Sequence, residues 1–275
     1  MTGVGGFGLG PALLFCPADR PERYAKAADR ADAVILDLED AVAPQDKEAA
    51  RRALLATPLD PARTVVRVNA VGTPWFADDV AALARTRYRT VMLAKTASAD
   101  DVAAVRRAGA WEVVALVETA AGVVAAPRIA AADGVIALMW GAEDLVASLG
   151  GTSSRRDDGS YRDVARHARS AVLLAAGAHG RAAIDAVHLD IADTDGLAAE
   201  AADARASGFA ATACIHPSQV GIVRAAYRPT AVEAERARRL LAAAAGHEGV
   251  FRWEGQMVDG PVLRHAERVL RDAGR

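Results

Sequence analysis

Short apolar runs recur along the chain, and each ends in charged or polar residues: VILDLED at 34–40, TVVRVN at 64–69, VVALVE at 113–118 and VIALMWGAED at 135–144. A parallel strand is covered on both faces, so it reads as an unbroken aliphatic run rather than an alternation. On that criterion the sequence predicts strands at 12–16, 33–38, 64–69, 90–94, 113–118, 134–140, 185–190 and 211–215. Between them lie stretches of helical spacing, among them PERYAKAADRA, DKEAARRALLA, WFADDVAALART and AEAADARASG. Ser98 with Asp101, and Ser160 with Asp163, have the spacing of a helix N-cap followed by an acid in the first turn. Eight strands alternating with helices predict an α/β fold, a (β/α)8 TIM barrel, over residues 12–228.

The competing doubly wound sheet is disfavoured, because the turn after LLFCP is ADRPER and not a glycine-rich dinucleotide loop. The early GVGGFGLG follows no strand, so residues 1–11 are expected to form a mobile tail. After His216, PSQVGIVRAAYRP closes the barrel, AVEAERARRLLAAAAG adds a helix, and GVFRWEGQMVDGP reads as a hairpin or irregular segment before a last helix. Residues 229–275 are thus a C-terminal helical extension, with a lid or oligomer arm and a plug of the barrel floor as the alternatives.

Composition narrows the function. A formal charge of -2 offers no basic field for nucleic acid. Cys16 and Cys214 stand alone in apolar runs, as buried free thiols do in a reducing compartment. MTGVGGFGLG lacks the basic and apolar regions of a signal peptide. No apolar run is long enough to span a bilayer. A soluble cytoplasmic protein is expected, with no membrane partner.

Active sites of such barrels lie at the carboxyl ends of the strands. Glu118 ends the fifth strand and Asp144 follows the sixth, which brings two carboxylates to neighbouring strand ends. With no cysteine cluster and no suitable histidine set, oxygen ligands point to Mg2+, with Mn2+ possible. Salt bridges from each carboxylate to a lysine or arginine are the alternative. Arg67 ends the third strand, where a buried guanidinium needs an anion. Asp37, Glu39 and Asp40 crowd the second strand's end and are expected to orient Arg67 or Lys95, with helix capping an alternative for Asp40. Lys95 invites a Schiff-base reading, but the nearby acids would hold its amine protonated. Lys95, Gly141 and Ala142 are taken as substrate-contacting. His188 and His216, near strand ends, read as scaffold residues. The loop GGTSSRRDDGSYRD, with Arg155 and Arg156, is either a closing loop or a solvated charge run.

LFCPADRPERYAKA, VILDLEDAV, VVRVN, LVETAAG, MWGAEDL, CIHPSQ and GQMVDGPV occur in order from Leu13 to the final helix. Together they resemble the citrate lyase β-subunit-like proteins of the HpcH/HpaI aldolase superfamily, in the stand-alone branch that includes mycobacterial members. The resemblance implies that Glu118 and Asp144 bind Mg2+ and that Arg67 holds the oxygens of an α-keto acid. It also implies a homotrimer or hexamer in which Asp259, on a C-terminal lid, reaches a neighbour's site. For a coenzyme A thioester as substrate, Arg20, Arg23 and Lys26 form an additional basic set after the first strand. One departure is Ala94, where the family usually has proline before the lysine that ends strand four.

The expected activity is Mg2+-dependent cleavage of a β-hydroxyacyl-CoA to acetyl-CoA and a keto acid, or the reverse. The substrate would resemble malyl-, citramalyl- or 3-hydroxy-3-methylglutaryl-CoA. Arg67, Asp259, Glu39 and Asp37 are the expected catalytic set. The alternatives are a synthase that also hydrolyses the thioester, a β subunit that needs an acyl carrier, and a barrel that has lost catalysis.

Overall fold

The computed structural model describes residues 7–247 and 249–274. The chain divides into two compact units, 1–223 and 224–275. In the first, strands β1 (Ala12–Pro17), β2 (Ala33–Asp37), β3 (Thr64–Val68) and β4 (Thr90–Leu93) are followed by β5 (Glu112–Val117), β6 (Val135–Trp140), β7 (Ala182–Asp185) and β8 (Ala211–Cys214). Each pairs in parallel with the next, and β8 closes on β1, giving the expected (β/α)8 barrel. Around it run helices α1 (Tyr24–Arg30), α2 (Lys47–Ala56), α3 (Phe76–Leu83), α4 (Ala99–Ala108), α5 (Ala120–Ala131), α6 (Ala142–Ser148), α7 (Asp163–Ala178), α8 (Thr194–Ser207) and α9 (Pro217–Tyr227).

Side chains of alternate strand positions fill the barrel, among them Leu13, Ile35, Val65, Met92, Val114, Leu116, Met139 and Ile184. Burying such aliphatic side chains stabilises by roughly 1.5–3 kcal/mol each, which is why these short runs form strands without alternating polarity. Buried Leu9 and half-buried Phe7, just upstream of β1, pack against this cluster. Of the tail expected over 1–11, residues 1–6 lie outside the described residues, and Phe7 and Leu9 pack against the barrel core.

Strand seven was expected at 185–190 and lies at Ala182–Asp185. Its opening alanines are weak strand formers, and the apolar AVHL that follows Asp185 is a loop. His188 therefore sits beyond the sheet. The Ser98–Asp101 capping box forms. At α7 the cap position is Arg162 instead, and Ser160 turns back to hydrogen-bond Asp158. No described helix is long and apolar enough to cross a membrane. Cys16 and Cys214 are buried and not joined in a disulfide.

Strands β5 and β6 change register once: Val113 pairs with Val135, but Val114 pairs with Ala137. Ile136 is the surplus residue, and pairing then continues to Val117 and Trp140. The residues after those strand ends, Glu118 and Gly141, thus arrive side by side.

The second unit contains helix α10 (Ala231–Ala244), a hairpin of β9 (Phe251–Trp253) and β10 (Gln256–Val258), and helix α11 (Gly260–Ala273). Ala237, Leu240, Val258, Ala266 and Val269 form its own core.

Candidate active site

Asp37 and Arg67 are paired neighbours at the ends of β2 and β3. The Asp37 carboxylate accepts from Arg67 Nε at 2.7 Å and Nη2 at 2.6 Å, a bidentate fork that lysine cannot make. It also accepts from the backbone N–H groups of Glu39 and Ala41, so its orientation is over-determined. Glu39 Oε2 lies 2.9 Å from Arg67 Nη1, and the guanidinium stacks 4.9 Å from the Phe15 ring centroid. Two of the five guanidinium N–H groups are thereby donated to Asp37, and Nη1 is ion-paired with Glu39. One proton on each of Nη1 and Nη2 remains for another anion.

Burial would lower the basicity of Arg67, yet Asp37 and Glu39 outweigh it and hold the charge firmly. Burial raises the Glu39 carboxyl above its usual range, against the pull of Arg67 and Lys95. Lys95 bonds Glu39, lies 2.9 Å from Asp40 Oδ2 and reaches Asp144 Oδ1 at 3.4 Å. Asp40 thus pairs with Lys95 rather than capping a helix. Although burial opposes it, Glu39 and Asp40 raise the Lys95 pKa, which disfavours a neutral amine nucleophile. Lys95 holds a left-handed backbone at φ 49, and its N–H donates to Glu118 Oε1 at 2.9 Å.

Glu118 is buried, and among the described residues no lysine or arginine side chain lies within ion-pair distance of it. Burial first, and then the charge of Asp144, push its pKa up to about 8. A carboxyl so placed beside a second one is a poor home for a proton-free charge unless a cation joins them. No cage of three or more His, Cys, Asp or Glu side chains exists among the described residues. Two carboxylates with the remaining positions open suit Mg2+, which keeps several waters.

The raised Glu118 pKa carries a sign. The unfolded chain ionises at its usual 4.5 and the folded one at about 8, so the folded state is favoured below 4.5 and loses that advantage as pH rises through 8. The thermal midpoint of metal-stripped protein is expected to fall between about pH 5 and pH 9, and Glu118→Gln should remove most of the fall. Parallel melting curves for the two proteins would contradict this assignment.

Gly141 and Ala142 open α6, whose first turn carries Asp144. A Cβ added at Gly141 would lie 2.7 Å from Glu118 Oε2 and 2.9 Å from its Cβ. Gly141 was expected to touch substrate; its demonstrable part is to leave room for Glu118. Gly141→Ala is expected to cost about 1–3 kcal/mol of stability by overpacking, measurable by urea denaturation.

A model of the HpcH/HpaI aldolase/citrate lyase family matches residues 12–217. This chain belongs to that family. Among HpcH/HpaI relatives, the citrate lyase subunit beta-like protein of Mycobacterium tuberculosis is 63% identical over 265 residues, covering 96% of either chain. A (3S)-malyl-CoA thioesterase of Cereibacter sphaeroides is 36% identical over 272 residues, covering 95% of this chain and 94% of its own length. Protein CitE from Mycobacterium tuberculosis, solved in complex with magnesium, acetoacetate and coenzyme A, superposes with a TM-score of 0.94 at 62% identity, covering 97% of this chain and 99% of that one. By class, this HpcH/HpaI member is a carbon–carbon lyase.

Within the HpcH/HpaI barrel, the structure brings Asp37, Glu39, Arg67, Lys95, Glu118 and Asp144 to one end of adjacent strands. Arg20, Arg23 and Lys26 are exposed on the segment after β1. Arg20 and Arg23 make only long contacts, 3.7 and 3.9 Å, with Asp19 and Glu22. Asp259 belongs to the second unit, where it is the N-cap residue of α11. His188 bonds Glu200, and His216 bonds Ser218, as scaffold residues do. Arg155 is pinned by Glu200 and Tyr161, so its part of the loop is braced rather than a solvated run.

Sequence reading missed a buried layer next to these residues. Lys47 Nζ donates to the carbonyls of Leu38 and Glu39, each at 2.7 Å, and to Asn69 Oδ1 at 2.9 Å. Asn69 in turn bonds Asp79, which Arg51 holds at 3.1 Å. A lysine and an asparagine near charged neighbours look like surface residues in one dimension. The only signal available was Asn69, whose polar side chain directly follows a wholly buried strand.

Proposed function

We propose that the chain cleaves a β-hydroxyacyl-CoA of the malyl- or citramalyl-CoA kind into acetyl-CoA and a keto acid, with Mg2+ held by Glu118 and Asp144. The observation that carries this reading is the buried Glu118 beside Asp144, with no ion-paired lysine or arginine among the described residues, two strands from a guanidinium held in direction by Asp37 and Glu39. Coenzyme A and magnesium in the CitE complex, at 62% identity, support the choice of substrate class and metal.

Bound there, Mg2+ would supply Lewis-acid polarisation of substrate oxygens. Arg67 stabilises the negative charge that develops on the thioester enolate, using the two protons not taken by Asp37 and Glu39. Those two acids keep its plane fixed, so the site needs little reorganisation as charge develops. Lys95 orients Glu118 through its backbone N–H and neutralises Glu39 and Asp40 through its ammonium. Arg20, Arg23 and Lys26, free of close partners, meet the phosphates of the coenzyme. Asp259 of an adjacent chain in a trimer or hexamer exchanges the proton at the acetyl carbon; the family resemblance supports that role.

The test is a coupled assay of purified protein with Mg2+ against malyl-, citramalyl- and 3-hydroxy-3-methylglutaryl-CoA. Release of acetyl-CoA with a keto acid is the expected result. Free coenzyme A with a free hydroxy acid would replace the lyase by a hydrolytic reading, which the thioesterase relative favours. Cleavage only after addition of an acyl-carrier protein would make the chain a carrier-dependent subunit.

A further inference from the structure

We propose that Lys47 is a positioning residue of the active site, fixing the direction of the Arg67 guanidinium through the peptide that joins its two carboxylate partners. The inference rests on the lyase reading for its catalytic consequence, and on geometry alone for its structural one.

Lys47 is only 4% exposed, yet its ammonium touches no carboxylate among the described residues. Its three protons go to Leu38 O, Glu39 O and Asn69 Oδ1, and the Trp75 ring centroid lies 5.0 Å away. It also opens helix α2, the end where the helix dipole disfavours a cation. Burial lowers its pKa, against the pull of Asp37, Asp79, Glu39 and Asp40. A buried charge at a helix N-terminus with only neutral acceptors is a poor choice for stability alone. Its placement makes sense through what it grips.

Leu38 lies between Asp37 and Glu39, the two acids that hold Arg67. Its N–H donates to Arg67 O at 2.9 Å, which extends the β2–β3 ladder past its last paired residues. Its carbonyl accepts from both Lys47 Nζ and Asn69 Nδ2. The next carbonyl, of Glu39, accepts from Lys47 as well. The carbonyls of Leu38 and Glu39 are thereby clamped, and with them the start of the Glu39 side chain. Asn69 is secured by Asp79, which accepts from its backbone N–H at 3.0 Å and its side-chain amide at 2.6 Å. Without Lys47, the Leu38 and Glu39 carbonyls each lose a donor and Asn69 loses its Oδ1 contact, so the Glu39 carboxylate facing Arg67 Nη1 loses its backbone anchor. Arg67 keeps its charge but not its direction. The cost then falls on turnover, because a small misplacement of a catalytic group is felt in the transition state.

The experiment compares wild type with Lys47→Met, which preserves length but removes the donors, and with Lys47→Arg, which retains them. The first readout is hydrogen exchange at the Arg67 Nε–H, assigned in a 1H–15N spectrum by its loss in Arg67→Lys. The second is kcat, KM and Mg2+ affinity, with the calorimetric Mg2+ stoichiometry counting folded sites. In Lys47→Met the Nε–H is expected to exchange at least about tenfold faster, and kcat per folded site to fall about 30- to 100-fold. KM and Mg2+ affinity should stay within about threefold, since Lys47 touches neither Glu118 nor Asp144. Lys47→Arg should recover at least part of both losses. Unchanged Nε–H exchange, or a kcat loss no larger than the loss of folded sites, would overturn the proposal. So would failure of both variants to fold, which would assign Lys47 to the stability of the barrel. If wild type cleaves no thioester, the lyase reading fails on its own, and the exchange measurement still decides the role of Lys47.

Discussion

Glu118→Ala is expected to lower kcat/KM for thioester cleavage by at least about 10³-fold and to abolish calorimetric Mg2+ binding. Glu118 is buried, and a hydrogen bond from the Lys95 backbone fixes its carboxylate in place. Asp144, a third exposed, would be left as the sole carboxylate, with Lys95 already 3.4 Å away. A single carboxylate paired with an ammonium holds Mg2+ weakly. The alanine variant should fold at least as well as metal-free wild type, because it removes a carboxyl whose ionisation burial opposes. Activity within tenfold of wild type would remove Glu118 from the metal site and sink the proposed mechanism.

Arg67→Lys is the second large effect, with an expected loss in kcat of about 10²- to 10³-fold and a much smaller change in KM. Lysine retains the charge but cannot reproduce the two-pronged contact with Asp37 while also reaching Glu39. The developing enolate then loses donors whose direction was set before substrate arrived. Arg67→Met separates chemistry from stability. It leaves Asp37 and Glu39 buried without their main cation, at a cost of roughly 3–5 kcal/mol in urea denaturation. A lysine variant with normal kcat but raised KM would instead assign Arg67 to ground-state binding.

The barrel was legible in the sequence because buried parallel strands advertise themselves as aliphatic runs. The site was legible because its acids and Arg67 interrupt those runs at their downstream ends. Strand seven was misplaced for the same reason in reverse: Ala182 and Ala183 carry little strand signal, and Val187 to Leu189 carry a signal the chain does not use. Ser160 could not be told from a true cap, since the choice depends on which neighbour the hydroxyl meets in space. Lys47, Asn69 and Asp79 were invisible because their meaning lies in contacts across 22 and 10 positions, and no local pattern records those. Gly141 stood out as a residue next to the proposed chemistry, but the need for it to be small comes from Glu118, 23 positions away in sequence.

The surplus Ile136 has a consequence for the distance between the two proposed metal ligands. β5 and β6 enter the sheet out of phase by one residue, and this defect absorbs the error near their upstream ends. Were the pair to slip into uninterrupted register from Val113 and Val135, Trp140 rather than Gly141 would confront Glu118. Everything downstream on β6 would also turn to the opposite face. Asp144 would then arrive displaced by about one strand residue, roughly 3.3 Å, more than the width of a magnesium–oxygen bond. The spacing of the two acids proposed to bind the metal is therefore set by an irregularity at the far end of the strands that deliver them.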